Sequence, residues 1–259
     1  IANGLAALAI EAPSTPTTGD RRNPGRVLFF DTKTRAPAKG ISQITVGSLP
    51  DMLTFTHDGS KLLVANEGTP NRVADAAYVL GSADPAGTVS IIDMETRTLI
   101  TNAGLAGVPQ YGSNLRPSAV VGMDFEPEYI AIDQEGAYAY VTLQEANGIA
   151  VLDLSLNAFT HVIGLGAKDF SQPGNQIDPW NNSNVLFQSL PVKGLYMPDG
   201  IALHQWRGNT YTVLANEGDF REDNADRATA SSSPDLATAP LANLRIAKPD
   251  SSASNLFSA

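Results

Sequence analysis

The sequence predicts an all-β protein, a β-propeller of four-stranded antiparallel blades of which the 259 residues cover about half. Apolar alternation and β-branched runs dominate, and the 3.6-residue period of amphipathic helices is scarce. The runs are short and punctuated by tight Asp-Gly turns. One strand-turn-strand pattern also comes back three times.

The first copy runs Leu49-Pro50-Asp51-Met52-Leu53-Thr54-Phe55, turns at His57-Asp58-Gly59, and rises through Lys61-Leu62-Leu63-Val64 to Asn66-Glu67. The second runs from Glu126-Pro127-Glu128 to Ile132, turns between Asp133 and Gly136, and rises through Ala139-Tyr140-Val141-Thr142 to Gln144-Glu145. The third runs from Met197-Pro198-Asp199 to Leu203, turns near Arg207-Gly208-Asn209, and rises through Tyr211-Thr212-Val213-Leu214 to Asn216-Glu217. A further strand ending in Asp follows two of them, Gly87 to Asp93 and Gly148 to Asp153. The N-terminal hairpin, Leu5 to Glu11 and Gly25 to Asp31, matches the later half of the unit.

With the strands of a blade called A to D from the axis outward, the Pro-Asp or Pro-Glu pair opens A and the Asn-Glu pair closes B. Antiparallel alternation then places the start of A and the end of B on one face. Asp51, Glu128, Asp199, Glu11, Glu67, Glu145 and Glu217 are therefore expected around one mouth, with Glu67 beside Asp51, Glu145 beside Glu128 and Glu217 beside Asp199. Two long insertions, roughly 102–124 and 164–196, should join D to A on the same side. The second carries Asp and Asn clusters that suit either ordinary turns or oxygen ligation of calcium.

The organisation expected is a partial propeller of three to four blades over residues 1–227, then an Ala/Ser/Pro-rich loop or linker over 228–259. The later strands of one blade, two whole blades and the first two strands of another do not close a ring. The remaining blades are expected from a longer polypeptide or another protomer.

Composition narrows the chemistry. A formal net charge of −10 argues against a footprint on a nucleic-acid backbone. With no cysteine, disulfides, thiolate zinc sites and a cysteine nucleophile are excluded. No apolar run reaches the roughly 20 residues that span a bilayer. Three histidines make a His-rich zinc site implausible: His57 and His204 fall away from the mouth and His161 at the periphery. Neither a Gly-x-Ser-x-Gly elbow nor a phosphate-cradling glycine loop occurs. Hard-cation chemistry remains, with Glu67, Glu145, Asp199, Glu217, Asp219, Asp51 and Glu128 as metal-ligand candidates and calcium as the ion. Arg221 or Lys168 would steady an anion beside it.

Residues 50 to 93, Pro-Asp-x-Leu-x-Phe through Leu-Leu-Val-Ala-Asn to Gly-Thr-Val-Ser-Ile-Ile-Asp, resemble the YVTN-type repeat of lactonase-like seven-bladed propellers. Gly47 to Met52, Ala65 to Gly68, Phe125 to Ile130, Gly194 to Asp199 and Ala215 to Asp219 resemble the choice-of-anchor I family, over residues 3 to about 224. That resemblance implies a secreted, cell-surface or periplasmic protein, seven blades when complete, and the alkaline phosphatase-like description its members often carry. Three readings stand side by side: a calcium-dependent phosphoesterase acting on a small phosphoester, a non-catalytic adhesion, matrix or assembly module, and a lactonase-like hydrolase.

Overall fold

The computed structural model describes residues 1–12, 22–41, 43–68, 85–115, 122, 125–178, 185–218, 227–229 and 245–247. Strand order follows chain order within each principal sheet. β1 (Leu5–Ile10), β2 (Pro24–Asp31) and β3 (Gln43–Ser48) form a three-stranded sheet. β4 (Pro50–Phe55), β5 (Lys61–Asn66), β6 (Thr88–Asp93) and β7 (Thr98–Gly104) form a four-stranded antiparallel meander. The next meander contains β9 (Pro127–Ile132), β10 (Tyr138–Leu143), β11 (Gly148–Asp153) and β12 (Ala158–Leu165), with β8 (Gln110–Ser113) added parallel to the outer edge of β12. β13 (Ala167–Asp169) pairs with β14 (Lys193–Leu195), and β15 (Pro198–Trp206) with β16 (Asn209–Asn216). β17 (Arg227–Thr229) and β18 (Arg245–Ala247) make a short antiparallel pair.

The sheets pack side by side through their first strands: β4 against β9, and β9 against β15. Successive four-stranded meanders meeting at their inner strands are the blades of a β-propeller. Two apolar clusters glue the blades together. Val27, Phe29, Val46, Leu62, Val64 and Ile92 fill the space between the first and second blades. Leu63, Ala65, Val89, Ile91, Phe125, Val141 and Leu143 fill that between the second and third. Strand alternation explains the division, because successive residues of β5 point to opposite faces. Leu62 and Val64 go one way and Leu63 and Ala65 the other, so an unbroken apolar run serves two neighbours.

Two glycines let the blades approach. A Cβ on Gly87 would lie 2.5 Å from Pro127 Cδ and 2.8 Å from Glu67 O, and would also strike the Phe125 carbonyl. Gly25 stands in the same relation to Pro50 of the following blade, 2.5 Å from its Cγ. Each pairs the head of a third strand with the proline that opens the next blade.

Within both insertions the described residues include strands that the repeat does not indicate. β7 continues to Gly104, and residues 110–113 join the next sheet as β8. β8 was hidden because its four residues are all exposed and carry no alternation. β12 continues to Leu165, and β13 with β14 forms a hairpin inside the second insertion. Part of the Asp/Asn-rich run, residues 179–184, lies outside the described residues. Among the described residues no helix is long and apolar enough to cross a membrane.

Candidate metal centre

Strand register fixes one end of each blade. Pro50 faces Asn66, Asn66 faces Thr88, and Thr88 faces Gly104. Pro127, Leu143, Gly148 and Gly164 make the equivalent row in the next blade, and Pro198 with Asn216 begins a third. The residue after each proline and the residues just beyond the end of β5, β10 and β16 therefore share one face. His57 lies in the β4–β5 turn at the other end, where its Nε2 is 2.9 Å from the Asp133 carbonyl oxygen. His57 and His204 both line a cavity of about 450 Å³ there, with Ile132, Gln134, Leu203 and Gln205. His161 packs edge-on against Tyr111 of β8 on the blade periphery.

The approach to the acidic strand starts is sharply turned. Leu49 and Met197 precede Pro50 and Pro198 in the left-handed region, at φ 49° and 43°. Bulky residues seldom adopt it, so their surroundings must hold them there. Both are buried, and their carbonyls accept backbone bonds from beyond the paired strand: Glu67 N at 3.0 Å from Leu49 O, Gly218 N at 3.2 Å from Met197 O.

At that mouth Asp51, Glu67 and Glu128 each offer an oxygen, and the three oxygens lie within 4.8 Å of one another. Asp51 and Glu67 belong to one blade and Glu128 to the next. Asp51 is exposed, Glu67 half-buried and Glu128 buried. Burial pushes the Glu128 carboxyl up to about 10, and the charges of Glu145, Glu67, Asp51 and Asp199 all add to the effect. Asp51 is raised as well, by loss of solvation first and then by Asp199. Five carboxylates from three blades thus share one small volume, and the other four all raise the cost of ionising Glu128.

Register corrects one assignment. Pro127 pairs with Leu143 as Pro50 pairs with Asn66, so the residue equivalent to Glu67 and Glu217 is Gln144, not Glu145. Gln144 is buried and neutral. Glu145 reaches the cluster from one position further on, within a turn closed by Asn147 N donating to Gln144 O at 2.9 Å. Along the chain the Asn-Glu and Gln-Glu pairs align, and only the pairing across strands reveals the one-residue offset.

The other candidates are dispersed. Glu217 and Glu11 are exposed, each just beyond its strand end. Lys168 is exposed on β13, with its Nζ 5.5 Å from the Phe170 ring centroid. Asp219 and Arg221 lie outside the described residues. The donor set brought together is all carboxylate oxygen, which fits a hard cation and not a thiophilic one. Calcium–oxygen bonds of about 2.3–2.6 Å place ligand oxygens up to about 5 Å apart across the ion, so the observed spacing fits.

Blades joined at their inner strands around an acidic mouth define a carboxylate-centred β-propeller. The chain belongs to the choice-of-anchor I domain family, whose model matches residues 1–255. The match runs past residue 224, where the resemblance read from the repeat motifs ends, and takes in the Ala/Ser-rich segment. Among solved structures the chain is similar to the hydrazine synthase of Kuenenia stuttgartiensis, at 17% identity and a TM-score of 0.41, over 60% of this chain and 39% of that one. It is also similar to the Cps50 (Swd1) β-propeller domain of Myceliophteria thermophila, at 10% identity and a TM-score of 0.31, over 62% of this chain and 42% of that one. The chain therefore spans less than two thirds of the length of either. No curated protein matches it at a significant level.

Proposed function

We propose that this protein is a secreted or surface-associated propeller whose mouth holds a calcium ion between Asp51, Glu67 and Glu128, with Asp199 and Glu145 close behind. The observation that carries this reading is the convergence of those three carboxylates from two blades, with a buried member that burial and like charge keep from ionising alone. A divalent cation would remove the repulsion and allow Glu128 to ionise. It would also tie the second blade to the third. Family membership supports surface association.

A second reading rests on the graded burial of the three ligands. Glu128 lies inside and Asp51 at the solvent, so one side of the ion would remain open to water or a phosphoryl oxygen. A bound cation supplies Lewis acidity there, the chemistry a calcium-dependent phosphoesterase or a lactonase-like hydrolase needs. The residues of this chain would position the ion and exclude water from its inner side. Sheet edges bear on the extent of the propeller. Among the described residues β1 has no inner partner and β16 no outer one, so the blades that complete a seven-bladed ring would come from a longer polypeptide or another protomer.

Calcium titration followed by thermal melting tests the first reading, and turnover of phosphomonoesters, phosphodiesters and lactones tests the second. A rise in melting temperature with calcium that Glu67→Gln abolishes supports the ion site. No calcium-dependent shift would sink both readings. A shift without turnover leaves a structural ion in a non-catalytic adhesion or assembly module.

A further inference from the structure

Thr142 occupies a position that the second and fourth blades fill with alanine. In the second, third and fourth blades the inner pair of strands slips register once: between Leu53 and Pro50, between Ile130 and Pro127, and between Ile201 and Pro198. The residues opposite the slip are Ala65, Thr142 and Ala215. A β-bulge leaves backbone groups of one strand without their ladder partners and re-aims the local side chain. At Ala215 the methyl simply faces Gly200, whose Cβ position would lie 3.7 Å away. In the third blade the side chain is fully buried and brings a hydroxyl to the slip.

That hydroxyl makes two bonds that matter to the mouth. Its oxygen accepts a hydrogen bond from Tyr129 N at 2.9 Å, the amide of the residue after Glu128. Its proton goes to the carbonyl oxygen of Asp199 on the next blade, at 2.6 Å. Tyr129 O, at 3.3 Å, is the weaker alternative acceptor. One atom therefore joins the backbone beside Glu128 to the backbone of Asp199, two members of the acidic cluster on different blades. β-strand alternation sends Val141 and Leu143 into the core shared with the second blade, so Thr142 faces β15.

We propose that Thr142 is a positioning residue for the mouth: its hydroxyl sets the distance between the Glu128 and Asp199 strands and so holds Glu128, the third blade's ligand, in place against the fourth blade. The inference rests on the calcium reading and adds a residue to it. Removing the hydroxyl leaves Tyr129 N and Asp199 O each short of a buried partner and frees β15 to shift against β9. Partners that orient metal ligands without touching the ion typically change affinity by about 10–100-fold when removed.

The test uses Thr142→Val, which keeps the shape and loses the hydroxyl, and Thr142→Ser, which keeps the hydroxyl. Two readouts are taken on the whole chain: calcium affinity by calorimetry, and amide hydrogen exchange over residues 127–132 and 197–203 without metal. The expected result is calcium binding weakened about tenfold or more in the valine variant, restored in the serine variant. Exchange in both segments should quicken in valine alone. If the valine variant binds calcium as the parent does, or both segments keep their parental protection, the proposal is overturned. If the parent itself binds no calcium, the calcium reading fails and the exchange arm decides whether Thr142 sets the blade spacing. Unchanged exchange there overturns that as well.

Discussion

Glu128 and Asp93 show how one side-chain chemistry takes two roles according to its neighbours. Asp93 closes β6 and accepts bonds from the amides of Thr96 and Glu95, at 2.7 and 2.9 Å. The Thr96 amide holds its carboxyl below the usual range. Asp31 and Asp153 cap the equivalent turns and are lowered likewise, Asp31 chiefly by the Thr34 amide and Asp153 by the Ser155 hydroxyl. Glu128 sits among carboxylates and is pushed up to about 10. Its usual value is near 4.5, so below that pH both folded and unfolded chains carry the proton and the group costs nothing. Between the two values the unfolded chain releases the proton while the folded one keeps it. The metal-free protein should therefore lose stability as pH rises through that window, and calcium should bind more tightly because it displaces a proton. Melting curves in chelator should show the midpoint falling from about pH 5 to about pH 9, and Glu128→Gln should flatten that fall and abolish the calcium response.

Between strands, the packing of blades depends on glycine at the head of β6. Gly87→Ala would push a methyl into Pro127 and into the carbonyls of Phe125 and Glu67. Backbone cannot yield as a side-chain tip can, so the second and third blades must part. The expected cost is about 1–3 kcal/mol or more, read from urea unfolding, together with weaker calcium binding because Glu67 and Glu128 stand on either side of the contact. Gly104→Ala is the control: nothing lies within 4 Å of its Cβ position, and stability should change little. Asn147 makes a different kind of joint. Its side chain, fully buried, donates to Asn114 O and Gly166 O at 2.9 and 2.8 Å and accepts from Tyr196 N and Met197 N at 2.9 and 3.1 Å. It thus pins the segment leading to Asp199. Asn147→Ala would strand several buried backbone groups and should destabilise by about 2–4 kcal/mol on the same measurement.

Across the whole molecule, the outer edge of β16 stands apart from the other second strands. β5 is buried at every residue but Lys61, whereas β16 is exposed at every residue but Leu214. Tyr211 and Val213 lie open on it, and Trp206 beside them stacks with Arg207. An exposed apolar edge is a template for another strand. This chain expressed alone should self-associate in sedimentation velocity as concentration rises, and Val213→Lys should suppress that. Unchanged association in the lysine variant would place the contact elsewhere.

Much of this architecture was legible in the residues. Alternation, Asp-Gly turns and the returning Pro-Asp and Asn-Glu pairs suffice to place strands β4, β5, β9, β10, β15 and β16 and to put their acidic ends on one face, because side-chain period and antiparallel direction are local properties. The turn-capping role of Asp31, Asp93 and Asp153 is equally local, set by amides two and three residues on. Tertiary structure decided the rest. Gln144, not Glu145, is the register partner of Glu67 because pairing across strands, not similarity along the chain, sets equivalence. β8 joins a distant edge with no pattern of its own. Which carboxylates of the mouth converge was decided by how closely the blades pack, through Gly87 and Thr142, since charges in different blades meet only when the space between them closes.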